Sequence, residues 1–189
     1  MYFEENLGVR IFNDDIVIDE IILSPEYAEN INSSQQESED DSLDFVKFCF
    51  SHDHDDKEKD RFGSGSLKGY ALSAADSEGQ TDYFIPEDDE IFFPSEQYDK
   101  FSAKAWIDDG WMYCLSSFYL EESDTAEDEL REFIHKAFGI KECTPENFYK
   151  DVVRPHISDI IDNTSGDDDG DGTKNIDFIT YLDDNYELI

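Results

Sequence analysis

Basic residues are scarce in this 189-residue chain. It has 14 Lys and Arg against 49 Asp and Glu, which gives a formal net charge of −35. A surface with this charge repels nucleic-acid phosphates and anionic lipid, so we expect no direct binding of nucleic acid and no membrane partner. A net charge of roughly 2–8 is enough to keep a small domain soluble, so solubility alone does not account for the excess.

Long apolar runs, secretion signals and paired cysteines are also missing. No run approaches the ~20 apolar residues of a membrane span. The N-terminus MYFEENLGVR lacks a basic segment followed by an apolar one, so we expect no signal peptide. Cys49, Cys114 and Cys143 are widely spaced and form no CxxC pair, which favours buried free thiols in a reducing compartment. These features predict a cytoplasmic protein, in the bacterial host cytoplasm if it is phage-encoded.

Catalytic signatures are absent as well. The chain has no GxSxG, no P-loop, no GxGxxG and no HExxH. Carboxylates are so frequent that spacing cannot single out an acid/base pair. We therefore expect a non-enzymatic protein without a cofactor.

The chain nevertheless has enough apolar material for a core. Hydrophobic residues make up 38% and aromatics 14% of the sequence. The acids are spread evenly, with 27 in residues 1–100 and 22 in 101–189. This pattern predicts a single acidic α+β domain over 1–189, with a central antiparallel sheet and two or three C-terminal helices packed on it.

The least acidic stretch, 101–120, is predicted to be a hairpin at the centre of the sheet, because Asp109-Gly110 is typical of a type I′ turn. Further strands are expected within 7–23, around an Asn13-Asp14-Asp15 turn, and over 43–52, 67–74 and 81–85. The acidic turn 86–90 and the buried apolar segment 91–94 follow the last of these.

Helices are predicted from their capping residues and apolar spacing. Ser24-Pro25 should begin a short one. A second, over 124–138, would bury apolar residues at i, i+3, i+4, i+7 and i+8 and end at Gly139. Thr144 should cap a third, which Arg154-Pro155 would kink. The segments 32–42 and 163–174 are predicted to be flexible acidic loops.

Two short segments resemble metal sites. His52-Asp53-His54-Asp55-Asp56 resembles the HxHxDH motif of metallo-β-lactamase-fold hydrolases, but Lys57 stands where the last His belongs, so we expect a solvated acidic loop. Asp167, Asp169 and Asp171 match the first calcium ligands of an EF-hand loop. Phe178 stands where that loop needs a bidentate Glu, so calcium binding is kept only as an alternative.

The acidic surface itself is the main candidate site. Asp124, Asp128 and Glu132 recur every four residues on one helix, away from its apolar face. Glu37–Asp41 and Asp183-Asp184 would extend the surface. The remaining predicted partner-binding residues are Glu121, Glu122, Glu127, Glu129, Glu87, Asp88, Asp89 and Glu90.

In composition the chain is similar to DNA-mimic inhibitors of phages and mobile elements, which include antirestriction proteins, some anti-CRISPR proteins and inhibitors of repair glycosylases. The similarity implies a basic nucleic-acid-binding partner, such as a restriction or CRISPR complex, bound through salt-sensitive steering. The alternatives are an immunity protein against a basic nuclease toxin, a calcium-binding interaction protein and salt adaptation. Formation of a homodimer would lengthen the acidic surface that mimics a nucleic-acid duplex.

Overall fold

A computed structural model describes residues 13–33, 39–55, 61–75, 80–95, 110–121 and 127–162, together with Asp183. The described chain is α+β, which confirms the predicted fold class. Its strands are β1 (Leu72–Ala75), β2 (Thr81–Phe84), β3 (Ile91–Phe92) and β4 (Tyr113–Leu115). Its helices are α1 (Asp14–Ile16, continued as a π-helix over Val17–Ile22), α2 (Pro25–Ser33), α3 (Glu39–Asp55), α4 (Phe118–Glu121), α5 (Glu127–Phe138), α6 (Pro145–Phe148, continued as a π-helix over Tyr149–Val153) and α7 (Ile157–Asp162).

The four strands form one mixed sheet in the order β2-β1-β4-β3. β1 pairs antiparallel with both β2 and β4, whereas β3 and β4 run parallel with Phe92 opposite Cys114. This parallel pair, and a parallel bridge of Phe92 with Lys141, depart from the antiparallel sheet that the sequence predicted. The connection from β3 to β4 is long enough for the crossover that parallel strands need.

The predicted hairpin over 101–120 is wrong in the half that the structure describes. β4 is central, as expected, but β1 and β3 occupy both of its edges, so no edge remains for a hairpin partner. The predicted second strand also ends early, because Phe118 begins α4. Gly110 does have the positive φ, +72°, that the turn prediction required. Residues 101–109 lie outside the described part of the chain.

Two predicted strand regions are helical. The second predicted strand of 7–23 falls in α1, where the Asn13 side chain caps the helix by accepting a hydrogen bond from the Ile16 amide at 3.1 Å. The predicted strand 43–52 lies in α3, whose buried Leu43, Val46 and Cys49 repeat every three residues. α2 and α3 also include 32–33 and 39–42, so the predicted loop over 32–42 is wrong at both ends. The predicted strand over 67–74 is shorter than expected, since only 72–75 is extended.

The other helix predictions are largely confirmed. α2 begins at Pro25. α5 buries its apolar face and is followed by Gly139 at φ +78°. The Thr144 hydroxyl caps α6 by accepting from the Asn147 amide at 3.2 Å. The chain turns at Arg154-Pro155 before α7, as the proline predicted.

One apolar cluster joins the sheet to the helices. The ring of Phe133 on α5 lies edge-on to Phe50, Phe62 and Phe138, with centroid separations of 5.6, 5.9 and 6.4 Å. The buried Tyr119 hydroxyl on α4 accepts a hydrogen bond from the Ser73 amide of β1 at 2.9 Å and lies 2.6 Å from the Ser42 hydroxyl of α3. These contacts fix α3, α4 and α5 relative to the sheet, and so determine where their acidic residues lie.

Candidate acidic interface

The exposed face of α5 carries two of the three acids that the helical spacing predicted, Asp128 and Glu132. Asp128, Glu129 and Glu132 are exposed. None of these three carboxylates forms a hydrogen bond or ion pair within the described residues. The opposite face packs into the core through five buried residues, Leu130, Phe133, Ile134, Ala137 and Phe138. α5 is therefore amphipathic, with an acidic outer surface.

The distribution of charge along α5 suits the helix dipole. The acids occupy its first half, whereas its last turn carries His135 and Lys136. Carboxylates near a helix N-terminus and cations near its C-terminus each stabilise the helix by roughly 0.3–1 kcal/mol. This offsets the repulsion between neighbouring acids, so α5 tolerates an acidic stripe.

α3 and α5 lie side by side and run in the same direction. The rings of Phe50 and Phe133 are 5.6 Å apart, and three residues further along each helix the Lys136 ammonium lies 3.1 Å from both Asp53 carboxylate oxygens. At the other end of α3, Ser42 contacts Tyr119 of α4. The order of these contacts along both chain segments places the N-terminal ends of α3 and α5 at the same end of the molecule.

This packing gathers acids from three helices at one end of the molecule. Asp40, Asp41 and Asp44 are exposed on the first turns of α3, and Asp40 and Asp41 fall within the predicted extension Glu37–Asp41. Glu121, at the end of α4, is also exposed. We call this set the helix-end acidic surface; it consists of Asp40, Asp41, Asp44, Glu121, Asp128, Glu129 and Glu132. Asp44 is not among the predicted site residues, because the residue pattern of 43–52 predicts a strand.

The acidic turn 86–90 lies elsewhere. Glu87, Asp89 and Glu90 line a cleft with Gly139, which follows the C-terminal end of α5. At 1.5 Å per residue, Gly139 is about 17 Å along the axis from Asp128. Two of the turn's acids also have partners: Asp89 accepts a hydrogen bond from the Ile85 amide at 3.0 Å, and Glu90 lies 3.5 Å from Lys141. Glu87 and Asp88 are exposed. The turn is therefore not continuous with the helix-end acidic surface.

Several of the basic residues are engaged within the fold. The guanidinium of Arg61 contacts Asp15 at 2.5 Å, and its side chain is only 8% exposed. Arg131 binds Glu142 through two hydrogen bonds of 2.6 and 2.8 Å. Lys136 and Lys141 also bind acids, Asp53 and Asp151 respectively.

The His-Asp segment does not assemble a metal site. The prediction that it follows a strand as a loop is wrong for residues 52–55, because these residues form the last turns of α3, whereas Asp56 lies outside the described residues. The Nδ1 of His52 donates to the Phe48 carbonyl at 2.8 Å, its Nε2 lies 3.3 Å from Asp14, and Asp53 is bound to Lys136. Neighbouring residues are thus directed to different partners. No group of three or more His, Cys, Asp or Glu suited to a metal ion occurs among the residues that the structure describes.

Two of the three thiols are shielded by burial. Cys49 and Cys143 are buried, and burial raises the pKa of each to about 12. Such thiols remain protonated at neutral pH and are poor nucleophiles. The predicted burial is confirmed for these two, whereas Cys114 is half-buried.

Some predicted site residues fall outside the described ranges. These are Glu122, Asp124, the side chain of Glu127, Asp184 and the calcium candidates Asp167, Asp169 and Asp171. Asp183 is described and exposed.

Comparison with protein-family models, with curated proteins and with solved structures finds no match to this chain. Over the described residues, no helix has both the length and the apolar character needed to cross a bilayer.

Proposed function

We propose that this protein is a non-enzymatic acidic inhibitor of phage or mobile-element origin. It acts as a decoy that occupies the nucleic-acid-binding surface of a host defence complex, such as a restriction or CRISPR complex. The observation that carries the proposal is the helix-end acidic surface, where α3, α4 and α5 present exposed carboxylates at one end of the molecule. These act together with the net charge of −35.

The spacing of the acids supports mimicry of a phosphate backbone. Asp128 and Glu132 on α5, and Asp40 and Asp44 on α3, are four residues apart, which places each pair ~5–6 Å apart on its helix. Duplex DNA carries one charge per ~1.7 Å of its axis, so a mimic needs more acids than one helix provides. Two neighbouring helices, with Glu121 between them in sequence, add acids to one another at one end of the fold.

The surface chemistry favours recognition by charge. Tyr27, at 36% exposure, is the one large hydrophobic residue that is exposed among those the structure describes. Stable non-polar interfaces depend on aromatic and aliphatic residues that become buried on binding. The described surface exposes no cluster of such residues. Binding would then be fast, electrostatically steered and weakened by salt.

A pull-down with competitive elution tests the proposal. The protein is immobilised, nuclease-treated bacterial lysate is applied at low salt, and bound proteins are eluted with a short DNA or RNA duplex. A decoy releases its partner to the duplex, because both occupy the same surface. Partners that leave only with salt, and never with either duplex, would contradict the proposal. Release of a nuclease toxin would indicate the immunity function instead.

A further inference from the structure

A small charged cleft lies at the C-terminal end of α5. Its volume is about 260 Å³, and it lies between the loop that contains Lys68, the acidic turn 86–90 and the segment 139–141. Its charged lining consists of Lys68, Glu87, Asp89, Glu90 and Lys141. Acids and lysines line it together, unlike the helix-end acidic surface.

The backbone holds Lys68 in place beside this cleft. The amides of Gly65 and Leu67 donate to the Lys136 and Ala137 carbonyls at 2.8 and 2.9 Å, which docks the loop on the last turn of α5. The aliphatic chain of Lys68 then crosses Gly65 and Gly139, where an added Cβ would lie 2.5 Å from its Cε. The two glycines therefore leave room for this side chain, and its ammonium is favourably placed at the negative end of the helix dipole.

Three of the charged residues that line the cleft have hydrogen-bond or ion-pair partners within the fold. Lys141 binds Asp151 at 2.8 Å and Glu90 at 3.5 Å. Although burial lowers the pKa of Lys141, these hydrogen bonds and charges outweigh that effect and raise it. Asp89 is held by the Ile85 amide.

Lys68 and Glu87 differ from these groups. Both are exposed and line the same cleft, yet they form no ion pair with each other or with other described residues. They are also linked through the backbone, since the Glu87 amide donates to the Lys68 carbonyl at 3.1 Å. A cation and an anion are thus held beside one cavity without contact between them.

We propose that this cleft binds a small dipolar ligand that carries one ammonium and one carboxylate group, as in a free amino acid. The ligand carboxylate pairs with Lys68 and its ammonium with Glu87. A purely anionic ligand is disfavoured by the three carboxylates of the lining, and a purely cationic one by the two lysines. The volume is below the ~300–1,000 Å³ of drug-sized pockets, which suits a ligand of few atoms. The site is independent of the decoy function.

A titration followed by amide NMR shifts tests the site with defined probes. Glycine, β-alanine, γ-aminobutyrate and 6-aminohexanoate vary the distance between the two charges, whereas acetate and ethylamine each carry one. We expect saturable shifts at the amides of Lys68, Glu87 and Gly139 with at least one dipolar probe. We expect acetate and ethylamine to bind at least tenfold more weakly.

Two neutral variants then assign the roles. Lys68→Met keeps the aliphatic chain over the glycines, and Glu87→Gln keeps the shape of the side chain. Each should weaken binding of the dipolar probe at least tenfold, since a charged hydrogen bond contributes about 1.5–3 kcal/mol. The controls Asp88→Asn and Lys150→Met alter exposed charges outside the cleft and should bind as the parent does. Equal binding of acetate, no saturable shift with any dipolar probe, or full affinity in either cleft variant would overturn the proposal.

Discussion

The ammonium of Lys136 on α5 lies 3.1 Å from each carboxylate oxygen of Asp53 on α3. This ion pair joins the two helices near their C-terminal ends, and the ring contact between Phe50 and Phe133 lies one turn before it. Since both helices run in the same direction, a contact at one end determines what is presented at the other. The pair therefore contributes to the packing of α3 against α5, on which the helix-end acidic surface depends.

Removal of this cation should weaken the fold. In Lys136→Met, Asp53 is 19% exposed and loses the ammonium that compensates its charge. We expect a loss of about 1–2 kcal/mol in the free energy of unfolding, measured by urea denaturation. Lys150→Met removes the same charge from an exposed position and should change stability by less than ~0.5 kcal/mol. Equal effects of the two variants would show that net charge, and not this contact, is responsible.

The Tyr119 hydroxyl provides the corresponding contact at the acidic end. It accepts from the buried Ser73 amide and contacts the Ser42 hydroxyl. Tyr119→Phe leaves the Ser73 amide buried without this acceptor, so we expect a loss of about 1–3 kcal/mol in unfolding free energy. Tyr149→Phe, at a half-buried tyrosine of α6, is the matched control and should have a small effect. A Tyr119→Phe variant as stable as the parent would contradict the role of this hydroxyl.

Arg131 and Glu142 should make stability depend on acid pH. The hydrogen bond from Arg131 lowers the pKa of Glu142 below its ordinary value of 4.5, against a smaller opposing effect of burial. A depressed carboxyl pKa contributes stability that is fully present above the unfolded pKa and is lost as pH falls through the folded one. Glu142 is half exposed, so we expect Glu142→Gln to cost less than ~1 kcal/mol at pH 7.

The difference between Glu142→Gln and the parent should then shrink as pH falls below the ordinary glutamate pKa of 4.5 and disappear once pH is below the lowered pKa of Glu142, as unfolding free energies across pH would show. Glu146→Gln is the control, since Glu146 is an exposed glutamate on the neighbouring α6. A difference that persists unchanged at pH 3 would exclude an ionised Glu142 as its cause.

Salt should stabilise the free protein. A net charge of −35 makes the compact state repel itself, and salt shortens the range of that repulsion from about 10 Å at 0.1 M to about 3 Å at 1 M. We expect the thermal midpoint to rise by several degrees between these NaCl concentrations, in calorimetry. The same change in potassium glutamate separates screening from specific chloride binding. A midpoint that falls with salt would indicate that ion pairs such as Arg61–Asp15 outweigh the repulsion.

The sequence was informative where capping residues and long helical periods agreed. α5 illustrates this, since its apolar residues, its C-terminal Gly139 and its exposed acids were all predicted. α6 likewise follows from Thr144-Pro145. In both, local hydrogen bonding and one buried face determine the structure, and both are visible in the order of residues.

The sequence failed where short runs of β-branched and aromatic residues suit either structure. Leu43, Val46 and Cys49 have helical spacing, but Phe45, Phe48 and Phe50 between them suggested a strand with two apolar faces. In the fold, Tyr70 covers Phe45 and Phe133 covers Phe50, so tertiary contacts account for the extra aromatics. Likewise, Asn13-Asp14-Asp15 resembled a turn but caps α1.

The candidate surface was predictable only in part for the same reason. Its α5 residues followed from helical spacing. The contribution of Asp44 and the parallel packing of α3 against α5 depend on contacts between residues about 83 positions apart, such as Lys136 and Asp53. The separation of the 86–90 turn from that surface depends on where the turn docks, which the sequence does not show.

The most direct test of the decoy function compares two triple variants, each of which replaces three acids by the corresponding amides, so that both have the same net charge. One carries Asp128→Asn, Glu129→Gln and Glu132→Gln on the helix-end acidic surface. The other carries Glu26→Gln, Asp82→Asn and Glu146→Gln, which are exposed on α2, β2 and α6. Both raise the net charge by three, and urea denaturation confirms that both fold.

The measurement is the affinity of each variant, at one salt concentration, for the bacterial protein that a nucleic-acid duplex elutes in the pull-down described above. Three contacts of ~0.5 kcal/mol each amount to about tenfold in affinity. We expect this loss in the first variant and a change of less than about threefold in the second. Equal losses in both would mean that net charge alone governs binding, and unchanged binding in the first would contradict the assignment of the helix-end acidic surface as the partner site.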